Sequence, residues 1–564
     1  MPFTTRWILL AAVASLPACA ASGPRTTGGS QSVAAYPPRD LQRATPKTRA
    51  ERSNFTETSS YADVVAFIDS LKAMSKDIHV GTFGRASSGR DIPMVILSRP
   101  VVRTAAEAKR LHRPIVWIQG NIHGGEVEGK EALLSALRDL ARDPYANVVD
   151  SVVIVAVPIY NIDGNDSLGA QEQNRPAQQG PARVGRRANG QGLDLNRDYI
   201  KAEAPETRAS LDFIREWEPD VFVDLHTTNG SYHGYALTWA PPLNPAARFS
   251  GPFTRDTVLP ALRASLKENL RIETFPYGNF ASQDSIERGW FTYDHRPRFG
   301  TNYFGLRGRV GILSEAYSHD PFARRVASTY SFVVELLSLI AGNAEDFIEV
   351  GREADRRTTA FATTTNASPA IPIRSRLTTT PRVEPMLVEE VVPTGDSART
   401  EAGLRPGLRR TGKVRSVRVP IFDRFEPVLQ QTLPYAYAIS AEQAPVLEHL
   451  RRHGVFVEQL SADARLPVER FTIDSVTRAA RPFQGHQEVS LSGRWVSDTV
   501  SLAAGTYIVR GGQPMGILAL YLLEPQSDDG LTTWNVMDPW IQPGGRYPII
   551  RVVGRIDAPL RNIR

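Results

Sequence analysis

PIVWIQGNIHGGEVEGKEALL, residues 114–134, is the stretch on which the reading of this chain turns. Its apolar run stops at Asn121, His123 and Glu126 follow across two glycines, and a helical spacing of apolar residues then takes over. A histidine and a carboxylate three positions apart at the end of a buried strand suit a metal ion. With Glu126 on the first turn of a helix beginning near Gly124, the two side chains share one face. Gly124 and Gly125 would let the backbone turn sharply and approach the ion. The pair alone is incomplete, because a catalytic metal site needs a third protein ligand and a base for its water.

Three further apolar runs finish in polar residues. VDSVVIVAVPIYN leads to Asn161 and Asp163, PDVFVDLH ends on His226, and RVGILSE ends on Glu315. In open α/β sheets ligands bind outside the carboxyl ends of the strands, so residues far apart in sequence can meet at one sheet edge. His226 completes a two-histidine, one-carboxylate set suited to one Zn2+ ion, with the fourth position left to water. Such an ion lowers the pKa of its water to about 7, and Glu315 is the candidate base.

In these residues the sequence resembles the zinc carboxypeptidases of the M14 type, over residues 55–345. The H-x-x-E motif matches His123 and Glu126, the later metal histidine His226, and the catalytic glutamate Glu315 in GILSEAY. GLDLNRDY supplies Asp194, Asn196 and Arg197. The resemblance implies that Arg197 forks two hydrogen bonds onto a substrate's free C-terminal carboxylate, with Asn196 as a further donor. It implies that Asp194 orients the imidazole of His123 and that Arg187 stabilises the oxyanion, although Arg186 adjoins it. A mobile tyrosine is also implied; Tyr293 has the better spacing, and Tyr303 is the alternative. His233, His295 and His319 are expected at the surface or supporting the site.

Other motifs lead nowhere. GGEVEGKE (124–131) nearly spells a phosphate loop, but Glu131 stands where Ser or Thr is required. H-E-x-x-H and G-x-S-x-G are both absent. SDDG (527–530) reads as a solvated turn rather than a calcium loop.

The bulk numbers exclude little else. The 66 basic and 60 acidic residues of the 564-residue chain give +6, and only eight of the basic residues are lysine. With no basic run of five or more, nucleic acid is not an expected partner. The only cysteine, Cys19, lies in MPFTTRWILLAAVASLPACAASG, whose apolar core is too short to span a bilayer and reads as an export signal. Leu16-Pro17-Ala18-Cys19 resembles a bacterial lipoprotein box, which would anchor the chain to a membrane through Cys19. Simple cleavage near Ala18-Cys19-Ala20 is the alternative.

The expected architecture is α/β: a signal over 1–19, a flexible tether over 20–54 and a mixed-sheet, zinc carboxypeptidase-like catalytic domain over 55–345. A linker over 346–380 and a mainly β domain over 381–564 follow. Short strands are expected in GKVRSVRVPIF, PYAYAIS and GTYIVRGGQPMGILALYLL, with one helix in AEQAPVLEHLRRHG. The expected activity is exported zinc metallocarboxypeptidase on peptides with a free C-terminus. The rivals are hydrolysis of peptidoglycan stem peptides or another N-acyl amino acid at the same site, and a peptide-binding protein without turnover. The sequence leaves side-chain preference and oligomeric state open. If Cys19 is lipidated, Cys19→Ala moves the protein from the membrane to the soluble fraction; unchanged fractionation favours simple cleavage.

Overall fold

The computed structural model describes residues 45–142, 146–361, 369–398 and 406–563; the export segment and Cys19 lie outside them. Eight strands form a mixed sheet: β1 (Ile78–Arg85), β2 (Asp91–Leu97), β3 (Ile115–Gly120), β4 (Val153–Val157), β5 (Val221–Thr227), β6 (Leu237–Ala240), β7 (Thr274–Pro276) and β8 (Val310–Ala316). Their order is β1-β2-β4-β3-β5-β8-β6-β7. The central four, β4, β3, β5 and β8, run parallel, with β2 and β6 antiparallel at their flanks. Every residue of β3, β4, β5 and β8 is buried, as in strands covered by helices on both faces.

The helices include α1 (Tyr61–Met74), α2 (Glu128–Leu140), α3 (Pro205–Trp217), α4 (Gly300–Leu306), α5 (Phe322–Gly342) and α6 (Ala344–Phe361). Ser60 starts α1 with a capping box completed by Asp63. α2 lies over Leu225 on one face of the sheet, and α5 packs on α2. On the other face Trp117 meets Phe213 of α3 and Phe304 of α4, and Phe304 stacks on Phe222 at 4.4 Å.

Side chains alternate between faces along a strand, and register aligns them across strands. Trp117, Phe222 and Gly311 make one row; Gln119, Asp224 and Leu313 the next; His226 and Glu315 the last. This face is therefore aromatic in the core and ionisable at the carboxyl edge.

Beyond the sheet, seven antiparallel strands of the C-terminal region run in the order Val489–Leu502, Ala464–Arg478, Arg546–Val552, Ala436–Ile439, Tyr507–Arg510, Val457–Leu460 and Leu560–Ile563. A long hairpin, Arg382–Pro393 with Leu408–Phe422, joins the short strands Asn279–Phe280 and Trp290–Phe291.

Four sequence expectations change here. Residues 346–380 contain α6 and the strand Ala370–Leu377, and Phe347, Ile371 and Ile373 enter the core. One apolar cluster runs from Val64 through Phe304 to Tyr437, Leu518 and Tyr547, so the β-rich region shares its core with the eight-stranded sheet and its helices. GILALYLL, expected as strand, is a helix with all eight residues buried; an unbroken apolar run carries no period to tell helix from strand. SDDG is no solvated turn either: Asp528 lies 3.0 Å from His295 Nε2, and buried Asp529 accepts from Arg298 Nε at 2.9 Å.

Candidate metal centre

His123 and Glu126 sit on the turn before α2 rather than on the helix. The Glu126 N–H donates to the His123 carbonyl at 2.9 Å, and α2 begins at Glu128. Neither glycine between them needs a left-handed conformation; that falls on Asn121, with φ 64°. Asn121 Nδ2 donates to the carbonyls of His123, Gly124 and Glu126 at 3.1–3.3 Å and holds the turn. The glycines answer crowding. A Cβ on Gly124 would fall 2.2 Å from the Gly164 carbonyl carbon, and one on Gly125 would fall 2.7 Å from Arg175 Cγ.

The three expected ligands meet. His123 Nδ1 and His226 Nδ1 are 3.2 Å apart, with Glu126 Oε1 2.9 Å from the first and Oε2 2.9 Å from the second. One ligand atom from each residue lies within 4.8 Å of the others, and all three residues are buried. Two imidazole nitrogens and a carboxylate converging in this way fit Zn2+. The opposite edge of each ring faces an acid: His123 Nε2 is 3.2 Å from Asp194 Oδ1, and His226 Nε2 is 2.9 Å from Asp224 Oδ2. Such outer carboxylates fix the tautomer and turn Nδ1 toward a metal. Burial opposes charge on Asp194, but the closeness of His123 and Arg187 outweighs it and holds the carboxyl well below its usual range. Asp224 was not anticipated. It lies two residues before His226 on β5, hence on the same face, a cue hidden while the strand reads as one apolar run.

Glu315 and His226 are register partners on adjacent parallel strands. Glu315 is buried, and its Oε2 has no hydrogen-bond partner among the described residues. Burial above all, with the charge of Glu126 adding to it, pushes the Glu315 carboxyl up to about 8.

Arg187 lies beside the ligands, donating from Nε to Asp194 Oδ2 at 2.9 Å with Nη1 3.3 Å from His123 Nδ1; Arg186 is exposed. A second arginine, Arg175, was missed. Its stem covers Gly125, and Nη1 donates to Glu126 Oε1 at 2.9 Å while Nη2 reaches the Thr227 carbonyl at 3.1 Å. Nothing in its own stretch, QEQNRPAQ, marks it. Arg197 stands with its guanidinium 4.0 Å above the Phe299 ring and forms no ion pair among the described residues. Its Nη1 donates to the Asn196 carbonyl at 2.8 Å.

Other expected residues are placed differently. Asn196 is engaged within the protein: Oδ1 accepts from the Gly300 N–H at 3.1 Å, and Nδ2 lies 3.4 Å from His226 Nε2. Tyr303 belongs to the core, its hydroxyl 2.9 Å from His453 Nδ1. Tyr293 faces the site beside Tyr277, a residue the sequence reading overlooked. Burial and the nearby charge of Glu315 raise the pKa of both hydroxyls. His233, His295 and His319 are buried, not at the surface. Asp163 turns away to Ser87 and Arg90, while Asn161 Nδ2 ties the Ile122 and Arg187 carbonyls.

A parallel-centred α/β sheet with this His–Glu–His set at its carboxyl edge defines a metal-dependent hydrolase. Residues 64–242 match the zinc carboxypeptidase family, peptidase M14. Carboxypeptidase 2 of Trichophyton tonsurans is 24% identical over 496 residues, which cover 83% of this chain and 81% of that protein. Carboxypeptidase 2 of Trichophyton rubrum is 23% identical over 493 residues, 83% of this chain and 81% of the other. Among solved structures, a metallo-carboxypeptidase from Burkholderia cenocepacia aligns with TM-score 0.37 and 19% identity, over 51% of this chain and 70% of that one. The match over residues 64–242, together with the His–Glu–His set, supports a zinc metallocarboxypeptidase similar to the M14 enzymes. His226→Ala leaves two ligands and should strip zinc and activity together. Metal analysis of the purified variant checks this; wild-type zinc content would remove His226 from the ligand set.

Proposed function

We propose that the protein is an exported enzyme that cleaves the C-terminal peptide bond of peptides, with Glu315 as general base, Arg187 at the oxyanion and Arg197 on the substrate's terminal carboxylate. Zn2+ held by His123, Glu126 and His226 would polarise the scissile carbonyl and lower the pKa of its water to about 7. The observation that carries the reading is the unpartnered, buried Oε2 of Glu315 beside His226. Leaving such an atom unpaired costs about 1–3 kcal/mol or more, which stability alone does not repay. Glu315 takes a proton from the attacking water and passes it to the leaving amine.

Arg187, fixed by Asp194 next to His123 and still partly exposed, donates to the developing oxyanion. Arg197 alone binds the terminal carboxylate, because Asn196 is engaged elsewhere. Ala240, Tyr277, Tyr293 and Leu313 form an apolar cluster, with Leu313 two residues from Glu315; the departing residue's side chain rests against it. The presence of all three ligands and the base speaks against a binding protein without turnover. Leu16-Pro17-Ala18-Cys19 supports an envelope location with a lipid anchor.

Glu315→Gln should keep zinc and lose most turnover, since an amide accepts no proton. The pH profile gives an independent check. Burial favours the neutral carboxyl, so the proton is lost at a higher pH than the ordinary 4.5 and the basic form grows as pH rises. kcat/KM should therefore climb along an acid limb centred above 4.5 and, with a cation bound beside Glu315, below the metal-free value of about 8. A limb at the ordinary glutamate value, or normal turnover in Glu315→Gln, rejects the base.

Arg197→Ala separates a carboxypeptidase from a general amidase. A charge-assisted pair is worth about 1.5–3 kcal/mol, so kcat/KM on free C-termini should fall roughly ten- to a few-hundredfold. The amidated counterpart, already poor, should hardly change, and zinc content should stay constant. An intact preference for free C-termini in this variant refutes the clamp.

A further inference from the structure

Among the described residues no acid pairs with Arg197, so its aim depends on two neighbours. One is the Phe299 ring beneath its guanidinium. The other is the turn Asp194–Arg197, in which Asp194 Oδ1 accepts from the Asn196 N–H at 3.0 Å. These neighbours are stitched together: Tyr199 N–H donates to the Arg298 carbonyl at 3.3 Å, and Gly300 N–H to Asn196 Oδ1 at 3.1 Å. Neither segment is anchored by long regular structure of its own. Asp194 caps the three-residue 3₁₀ turn Leu195–Arg197, and Phe299 precedes the short helix α4.

Both segments are held from outside by the C-terminal region. The Asp194 N–H donates to Gln484 Oε1 at 3.0 Å. Gln484 and Gly485 form a tight turn with φ of 51° and 81°, closed by reciprocal backbone bonds between Phe483 and His486 at 2.8 and 3.0 Å. His486 Nε2 meets Glu203 at 2.7 Å and moors that turn to the catalytic part. On the Phe299 side, Arg298 donates from its backbone N and from Nε to Asp529 at 2.7 and 2.9 Å, and from Nη1 to Glu488 at 2.6 Å. Its guanidinium lies 4.4 Å over the Trp534 ring, and Trp534 Nε1 also donates to Asp529, at 2.9 Å. A region added only for bulk burial would meet its neighbour through apolar side chains. Here it meets the two segments that aim Arg197 through directional polar contacts.

We propose that the C-terminal β-rich region braces the carboxylate-binding end of the site, with Gln484 and Asp529 as positioning residues for Arg197. The proposal rests on the reading of Arg197 given above. Gln484 fixes the Asp194 turn, Asp529 fixes Arg298 and with it Phe299, and the guanidinium is set between them. Neither residue touches the metal ligands or Glu315. Loss of either should weaken capture of a free C-terminus without altering metal retention.

The test uses the full-length, zinc-loaded protein with the best-cleaved member of a panel of N-blocked dipeptides and its C-terminal amide. Gln484→Asn is the first variant, because asparagine tolerates the left-handed turn while its shorter side chain cannot reach Asp194. KM for the free acid should rise about five- to twentyfold, kcat should stay within about twofold, and the amide should be unaffected. Zinc content and unfolding midpoint should match wild type. Asp529→Asn should shift KM in the same direction, with Asp529→Glu restoring part of the loss. If wild type prefers the free acid and both asparagine variants keep that preference in full, the brace is overturned while the Arg197 reading stands. If both substrates fall together alongside a lowered midpoint, the region is only a scaffold and the proposal also fails. A wild type indifferent to amidation overturns the Arg197 reading and this proposal with it.

Discussion

The site is organised around the difficulty of burying two carboxylates, Glu126 and Glu315, near each other in one pocket. Like charges in a poorly solvated site repel, and one group gives up its charge unless cations are supplied. Glu126 keeps its charge through His123 and Arg175, which outweigh the burial that opposes it. At Glu315 burial outweighs the pull of His226 and the two arginines and pushes the carboxyl toward the neutral form. A divalent cation in the His–Glu–His set resolves the conflict by lowering the energy of both ionised carboxylates. The same repulsion gives a reason for the arginines around the ligands, since without Arg175 the carboxylate of Glu126 would lose one of its close cations.

Strand register delivers this arrangement. Glu315 pairs with His226 and Leu313 with Asp224, so Glu315 and the acid behind His226 lie on the same sheet face as their partners. A slip by one residue would send His226 and Glu315 to opposite faces. The aromatic rows beneath, Trp117 against Phe222 and Phe222 against Phe304, hold the register because their burial is lost in any other pairing. Stability of the core and geometry of the site are one constraint along these strands.

The sequence made the ligands legible because each follows or ends an apolar run, a pattern that survives in one dimension. It placed Glu126 on a helix because an i,i+3 pair looks the same on a helix and on a tight turn; only the position of Glu128 at the helix start distinguishes them. The glycines looked like hinges for an ion and turned out to make room for Gly164 and Arg175, a matter of chain segments far apart. Arg175 could not be found at all, because its role exists only once its loop folds over Gly125. Tyr303 illustrates the opposite error. It stood as the alternative to Tyr293, yet its side of α4 faces Tyr199 and His453, so packing took it into the core. SDDG failed because it is buried against a part of the chain that composition had set down as a separate domain.

Three arginines surround the site, and what each already touches separates their functions. Arg175 is paired with Glu126 and Arg187 with Asp194, so their charges are largely balanced within the protein. Such arginines shape and polarise the pocket, but much of their pull on an incoming anion is already satisfied. Arg197 is held by an aromatic face and one carbonyl instead. Stacking fixes the plane of a guanidinium while leaving most of its N–H donors free. Burial without a paired acid leaves that charge poorly solvated and lowers its pKa, and a carboxylate arriving in the pocket would relieve that cost. Arg197 is thus a buried cation that the protein keeps without a counter-ion among the described residues.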